Sequence, residues 1–112
     1  MSVDWSATEQ KAISAIKDVL SGAWGDVATG ASAQVKALVS IGASVEAAIQ
    51  SDPPSITQSD YQALLLSAQR ALDGVLQTYE AVGIVIAEQA AAAAVNVVVT
   101  ALKQANPAIA FL

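Results

Sequence analysis

Between Glu80 and Lys103 the chain offers only three strongly polar side chains, Glu88, Gln89 and Asn96, around a run of five alanines, Ala90 to Ala94. A helix in contact with water carries a polar face opposite its apolar stripe, and residues 81–102 show no clear one. A segment apolar nearly all round is buried on several sides, by protein or by lipid. One hairpin cannot wrap its own last third completely, so the stretch predicts contact with neighbouring copies of the chain or with another subunit.

The lipid alternative is weaker. Residues 81–102 are long enough for a membrane span, which needs about 20 apolar residues. Alanine contributes little to insertion, however, and Glu88 would sit well inside the span, where a charge costs about 3 kcal/mol on insertion scales. Small side chains let helix backbones approach closely, which favours burial by protein.

The rest of the chain reads as all-α. Alanine, leucine, glutamine and glutamate favour helix, and no β-rich run is bounded by turn residues on both sides. The surest break is Ser51-Asp52-Pro53-Pro54-Ser55, because proline cannot continue a helix and pushes its predecessor out of the α region. After it, Thr57 as N-cap places Asp60 at N3, with Ile56 and Tyr61 at the positions of a hydrophobic staple. The seam Tyr61, Leu65, Ala68, Leu72, Val75, Tyr79, Val82 and Ile86 steps by four and three, as in a coiled coil. It then shifts to Ala90, Ala94, Val97 and Ala101. With no proline inside residues 58–105, one helix of about 70 Å is expected there, with Gly83 its most favourable point for a bend.

In the first half, Ser6-Ala7-Thr8-Glu9 fits a capping box for a helix over residues 6–21. Its apolar face is Ile13, Ile16, Val19 and Leu20. Gly22-Ala23-Trp24-Gly25 reads as a turn, with Asp26 capping a second helix over 26–50. That helix has the seam Val27, Ala31, Val35, Leu38, Ile41/Gly42, Val45 and Ile49. The expectation is a single all-α domain over residues 1–112, a helical hairpin or three-helix bundle. Its turn lies at 51–56, and one long alanine-rich C-terminal helix packs in a larger oligomer. Asn106-Pro107 stops that helix and leaves an apolar tail within 106–112.

Composition narrows the chemistry. The 112 residues include no cysteine and no histidine, 5 Lys+Arg and 10 Asp+Glu, for a net charge of −5. Thiolate nucleophiles, disulfides, zinc sites and histidine bases are excluded. Only carboxylates and backbone oxygens remain as metal ligands. The negative balance and the scattered Lys11, Lys17, Lys36, Arg70 and Lys103 oppose binding to a phosphate backbone. No nucleic acid, cofactor or metal is therefore expected. The start of the chain, Met1-Ser2-Val3-Asp4-Trp5, shows no basic region before an apolar stretch. No secretory signal is expected, and synthesis is placed in the cytoplasm.

Motifs that suggest catalysis do not hold together. Ser14-Ala15-Ile16-Lys17 matches the Ser-x-x-Lys pattern of penicillin-binding enzymes but lacks their Ser-Asp-Asn and Lys-Thr-Gly elements. Lys17 reads instead as a solvated side chain. Gly22-Ala23-Trp24-Gly25 lacks the Gly-Lys-Ser/Thr of a phosphate loop. Glu80 and Glu88 have no matching acids in the first half with which to hold a metal. The five aromatics lie too far apart in sequence to make a stacking platform.

The functional expectation is a non-enzymatic structural or interaction protein, one copy in a multi-subunit helical assembly. The character suits an internal, connector or tail component of a phage or virus particle. The expected interface is Leu65, Leu72, Val75, Ile86, Val97 and Ala101, with Ile109, Phe111 and Leu112 as a tail anchor. Glu88 and Asn96 are expected as buried polar or lumen-facing residues. Two alternatives stand beside this reading: a membrane-active protein that inserts residues 81–102, and a small cytoplasmic adaptor bundle.

Overall fold

A computed structural model describes residues 2–51 and 54–107. Among the described residues four α-helices run in chain order: α1, Trp5–Leu20; α2, Trp24–Gln50; α3, Gln58–Gln77; and α4, Ile84–Ala105. Among the described residues there is no strand. The 27 residues of α2 span about 40 Å at 1.5 Å per residue and set the long dimension of a bundle measuring 46 × 24 × 18 Å. Its radius of gyration, 14.1 Å, lies close to the ~13 Å of a compact chain this long.

The start of α1 meets the end of α2, where Trp5 bonds to Glu46, and it also faces the end of α4, where Thr8 lies beside Ala101. The ends of α2 and α4 meet through a Gln50–Asn106 hydrogen bond of 3.2 Å. Neighbours in sequence therefore run antiparallel, in the up-down-up-down order that short connections favour.

Each helix starts and stops for a local reason. Asp4 caps α1 by accepting from the Ala7 N–H at 3.0 Å, so the cap lies two residues before the expected Ser6. Between α1 and α2 the chain makes one 3-10 turn, Ser21–Ala23, and the left-handed φ of 51° falls on Ser21 and not on Gly22. α2 begins at Trp24 with no side-chain cap, which leaves Asp26 in its first turn, where a carboxylate suits the positive helix end. Ser51 ends α2, its hydroxyl donating to the Ala48 carbonyl at 2.7 Å. The capping box of α3 forms as the spacing implies: Asp60 N–H donates to Thr57 Oγ1 at 3.2 Å, and Thr57 N–H to Asp60 Oδ2 at 3.3 Å.

The single helix expected over 58–105 is two helices. α3 ends at Gln77, the Thr78 hydroxyl donates to the Val75 carbonyl, and the chain turns through Val82 N–H to Tyr79 C=O at 3.0 Å. α4 restarts after Gly83, whose backbone is extended. Two side chains hold the corner. Val82 is buried, and the Tyr79 ring lies against Gly30 of α2 so closely that an added Cβ there would meet the phenol oxygen. Folding back lets α3 and α4 cover one another, so four helices surround the core instead of the expected three.

The core is made of small residues. α2 buries Val27, Ala31, Val35, Leu38, Gly42, Val45 and Ile49, the seam read from spacing. α3 buries Tyr61, Leu65, Ala68 and Leu72 and then Leu76 in place of Val75. α4 buries Ala87, Ala90, Ala91, Ala94, Val95, Val98, Val99, Leu102 and Ala105 and packs on α1, α3 and α2. Five of those nine are alanines, short enough for three helices to close around one. The polar residues Glu88, Gln89, Asn96, Thr100, Lys103 and Gln104 are all exposed. The exposed residues 88, 92, 96 and 100 recur every four and all but Ala92 are polar, so α4 does have a narrow polar face. The expectation of a helix with no such face is corrected: the chain covers the alanine stripe itself.

Candidate interaction surfaces

The structure divides the expected interface residues into three groups. Leu65 and Leu72 are 2% and 1% exposed and belong to the chain's own core, Leu65 forming the floor of a groove between α3 and α4. Val75 is half-buried because Leu76 takes the inner position at the end of α3, and Val97 and Ala101 are half-buried because the buried stripe of α4 is turned by one residue from the expected one and runs through Val98 and Leu102. Ile86 is exposed. Glu88 and Asn96 lie on the outer face of α4, not in a buried position. Ile109, Phe111 and Leu112 lie outside the described residues.

Apart from Leu64, 44% exposed on α3, what remains accessible and apolar among the large side chains described is concentrated in two places. Ile84, Val85 and Ile86, in the first turn of α4, are 64%, 64% and 39% exposed. Successive helical residues point about 100° apart, so three exposed in a row mean that this turn projects from the bundle. Exposed Glu80 precedes it, and exposed Glu88 follows one turn after Ile84. The second place is an open groove between α3 and α4, about 330 Å³, lined by Leu65, Leu66, Val95, Gln62 and Gln69. Leu66 is 45% exposed, and exposed Arg70 stands one turn further along α3.

A third surface, between α1 and α4, is more polar. Two adjoining cavities of about 220 and 200 Å³ share Thr8, Lys11, Ala101 and Gln104 and form one groove.

Sequence reasoning passed over one side-chain constellation. Glu46, on the inner side of α2 and 7% exposed, accepts from Val3 N–H at 3.0 Å and from Trp5 Nε1–H at 3.3 Å. The Trp5 ring lies flush on Gly42 one turn earlier in α2, where a Cβ would stand 2.7 Å from two ring carbons. Glu46 thus fixes the segment before α1 to the far end of α2. The available signal was a carboxylate flanked by Val45 and Ile49 on an apolar stripe, one turn after a glycine.

Ser14 and Lys17 are both exposed on α1, and an added Cβ at Gly22, within the 3-10 turn, or at Gly25, in the first turn of α2, would meet nothing within 4 Å. Among the described residues no three carboxylates come together as a metal site would require. Compared with known protein families, curated proteins and solved structures, the chain matches none.

Proposed function

We propose that this chain is a non-enzymatic structural subunit that assembles with further copies of itself, the projecting turn of α4 in one copy entering the α3–α4 groove of the next. The observation that carries the reading is the exposure of Ile84, Val85 and Ile86 together. A flat partner covers one or two side chains of such a turn, whereas a groove covers all three. β-branched side chains are stiff and lose little rotamer freedom on burial. Covering their exposed parts is worth about 3 kcal/mol before the costs of association.

The charges suit the same pairing. On the projecting turn Ile84 is followed four residues later by Glu88, and beside the groove Leu66 is followed four residues later by Arg70. Apolar residue against apolar residue then brings carboxylate towards guanidinium. Such a contact joins two different patches, so it propagates around a ring or along a filament. The acidic residues flanking the turn, with the net charge of −5, oppose docking on an anionic lipid surface.

The membrane reading rests on α4 itself, 22 residues with a mean hydropathy of 1.7 in its most apolar window. Insertion would require α4 to leave α1, α2 and α3, because its buried face is their core.

Light scattering after gel filtration, across a concentration series, tests the assembly. Wild type should self-associate, and Glu88→Lys and Arg70→Glu should each weaken the association about tenfold. The double variant should restore it. Monomers at every concentration, or a double variant as weak as the singles, would refute the pairing. Flotation of the wild type with lipid vesicles would favour the membrane reading instead.

A further inference from the structure

Among the described residues Ser21 alone has a positive φ. At φ 51° and ψ −118° it holds the first inner position of a tight turn whose geometry belongs to glycine. A Cβ is crowded there, and strain of this kind shifts an equilibrium about tenfold. Nothing local offsets it. Ser21 is exposed, its hydroxyl makes no hydrogen bond among the described residues, and the 3-10 turn packs only on the two helices it joins.

The backbone on either side is already helical. Leu20 has φ −76° and ψ −26°, Ala23 φ −77° and ψ −10°, and Trp24 φ −55° and ψ −43°. The Ser21 N–H donates to the Lys17 carbonyl, as it would in a helix that continued. No proline interrupts residues 5–50. Rotating Ser21 into the right-handed region therefore merges α1 and α2 into one helix, about 70 Å long, and releases the strain. A straightened α1 no longer reaches the α4 of its own chain, against which it chiefly packs. A second copy opened in the same way presents an α4 with the identical face uncovered.

We infer that this hinge lets two copies exchange α1, giving a closed dimer in which each α1 packs on the other copy's α4 and α2. Every contact of α1 is remade across the two chains, including the seat of the Trp5 ring on Gly42 and its bond to Glu46. Only the hinge differs between the two states, and short strained hinges favour such exchange. The turn holds α1 near its own α4 at millimolar effective concentration, so the monomer prevails in dilute solution and the dimer gains at millimolar protein. The exchange does not rest on the contact between the projecting turn and the α3–α4 groove, and unlike that contact it closes on itself.

Refolding from urea at about 1 mM, followed by gel filtration with light scattering, tests it. A dimer should appear that survives about hundredfold dilution in the cold, because reversal requires α1 to leave its place. Glu88→Lys, which weakens the groove contact, should leave its yield unchanged. Ser21→Gly relaxes the closed hinge in both chains and should lower the dimer association constant about hundredfold. Because the chain has no cysteine, Lys11→Cys with Gln104→Cys, from facing walls of the α1–α4 groove, reports where α1 lies. A bismaleimide should link two chains in the dimer fraction and bridge a single chain in the monomer fraction. Three results overturn the inference: no dimer at millimolar protein, a dimer unaffected by Ser21→Gly, or bridges within one chain in the dimer fraction.

Discussion

Replacing Gly42 with alanine sets helix propensity against packing at one position. In the interior of α2 alanine is better than glycine by about 1 kcal/mol. Against this, the new methyl would stand 2.7 Å from Trp5 Cη2 and Cζ3 and 3.0 Å from Val98 Cγ1. Carbon atoms pack at about 3.5–4.0 Å, so something must move by nearly 1 Å. Val98 is fully buried and has nowhere to go. The indole must tilt outward, and its bond to Glu46, already long at 3.3 Å, is lost. Overpacking costs about 1–3 kcal/mol, and a hydrogen bond to a charged acceptor about 1.5–3 kcal/mol. The net effect is a loss of about 2–4 kcal/mol, a fall in Tm of roughly 8–15 °C for a chain of this size.

Gly74 supplies the opposite sign. It sits in α3 with nothing within 4 Å of an added Cβ, so Gly74→Ala should gain about 0.5–1 kcal/mol. Thermal and urea melts followed by circular dichroism compare the two directly. Adding Trp5→Leu to Gly42→Ala should recover at least about 1 kcal/mol of the loss, as coupled neighbours do. If Gly42→Ala is as stable as Gly74→Ala, the close approach of Trp5 to α2 is wrong.

The same melts bear on two further residues. Leu72→Ala empties a site that is 1% exposed, and should cost about 2–5 kcal/mol of stability while leaving the association measured by light scattering unchanged at temperatures where the chain is folded. Thr57→Ala removes the acceptor for the Asp60 N–H and should cost about 1 kcal/mol, with faster amide exchange confined to the first turn of α3.

Much of the helical pattern was legible. The α2 seam is readable because large and small residues alternate sharply along it, with Val35 and Leu38 between polar neighbours such as Gln34 and Lys36. Thr57 and Asp60 announce α3 by local chemistry alone. The corner at 78–83 was not legible in the same way. It contains no proline, and the residues that hold it, Tyr79 against Gly30 and the buried Val82, act through tertiary contacts. In α4 the hydropathy pattern fails for a different reason. When alanine occupies every side of a helix, apolarity no longer marks the inner face. The sparse polar residues at 88, 96, 100 and 103 mark the outer face instead, and reading their spacing would have turned the stripe by the one residue that separates Val97 from Val98. The projecting turn was visible only as Ile86, because Ile84 and Val85 look like ordinary core residues until the corner is known.

Of the four helices the first and the fourth in chain order pack on each other most extensively, since α1 rests chiefly against α4. A nascent chain that has produced only α1, α2 and α3 has none of the alanine stripe that fills the space between them. Those of its leucines and valines that α4 covers stay wet until residues 84–105 have cleared the ribosome. Bringing α1 and α4 together also closes a loop that contains most of the chain, an entropic cost that the packing of α1 on α2, α2 on α3 and α3 on α4 reduces. The bundle is complete only once α4 has docked, and a ribosome stalled before α4 would hold a chain with that face open for chaperones to bind.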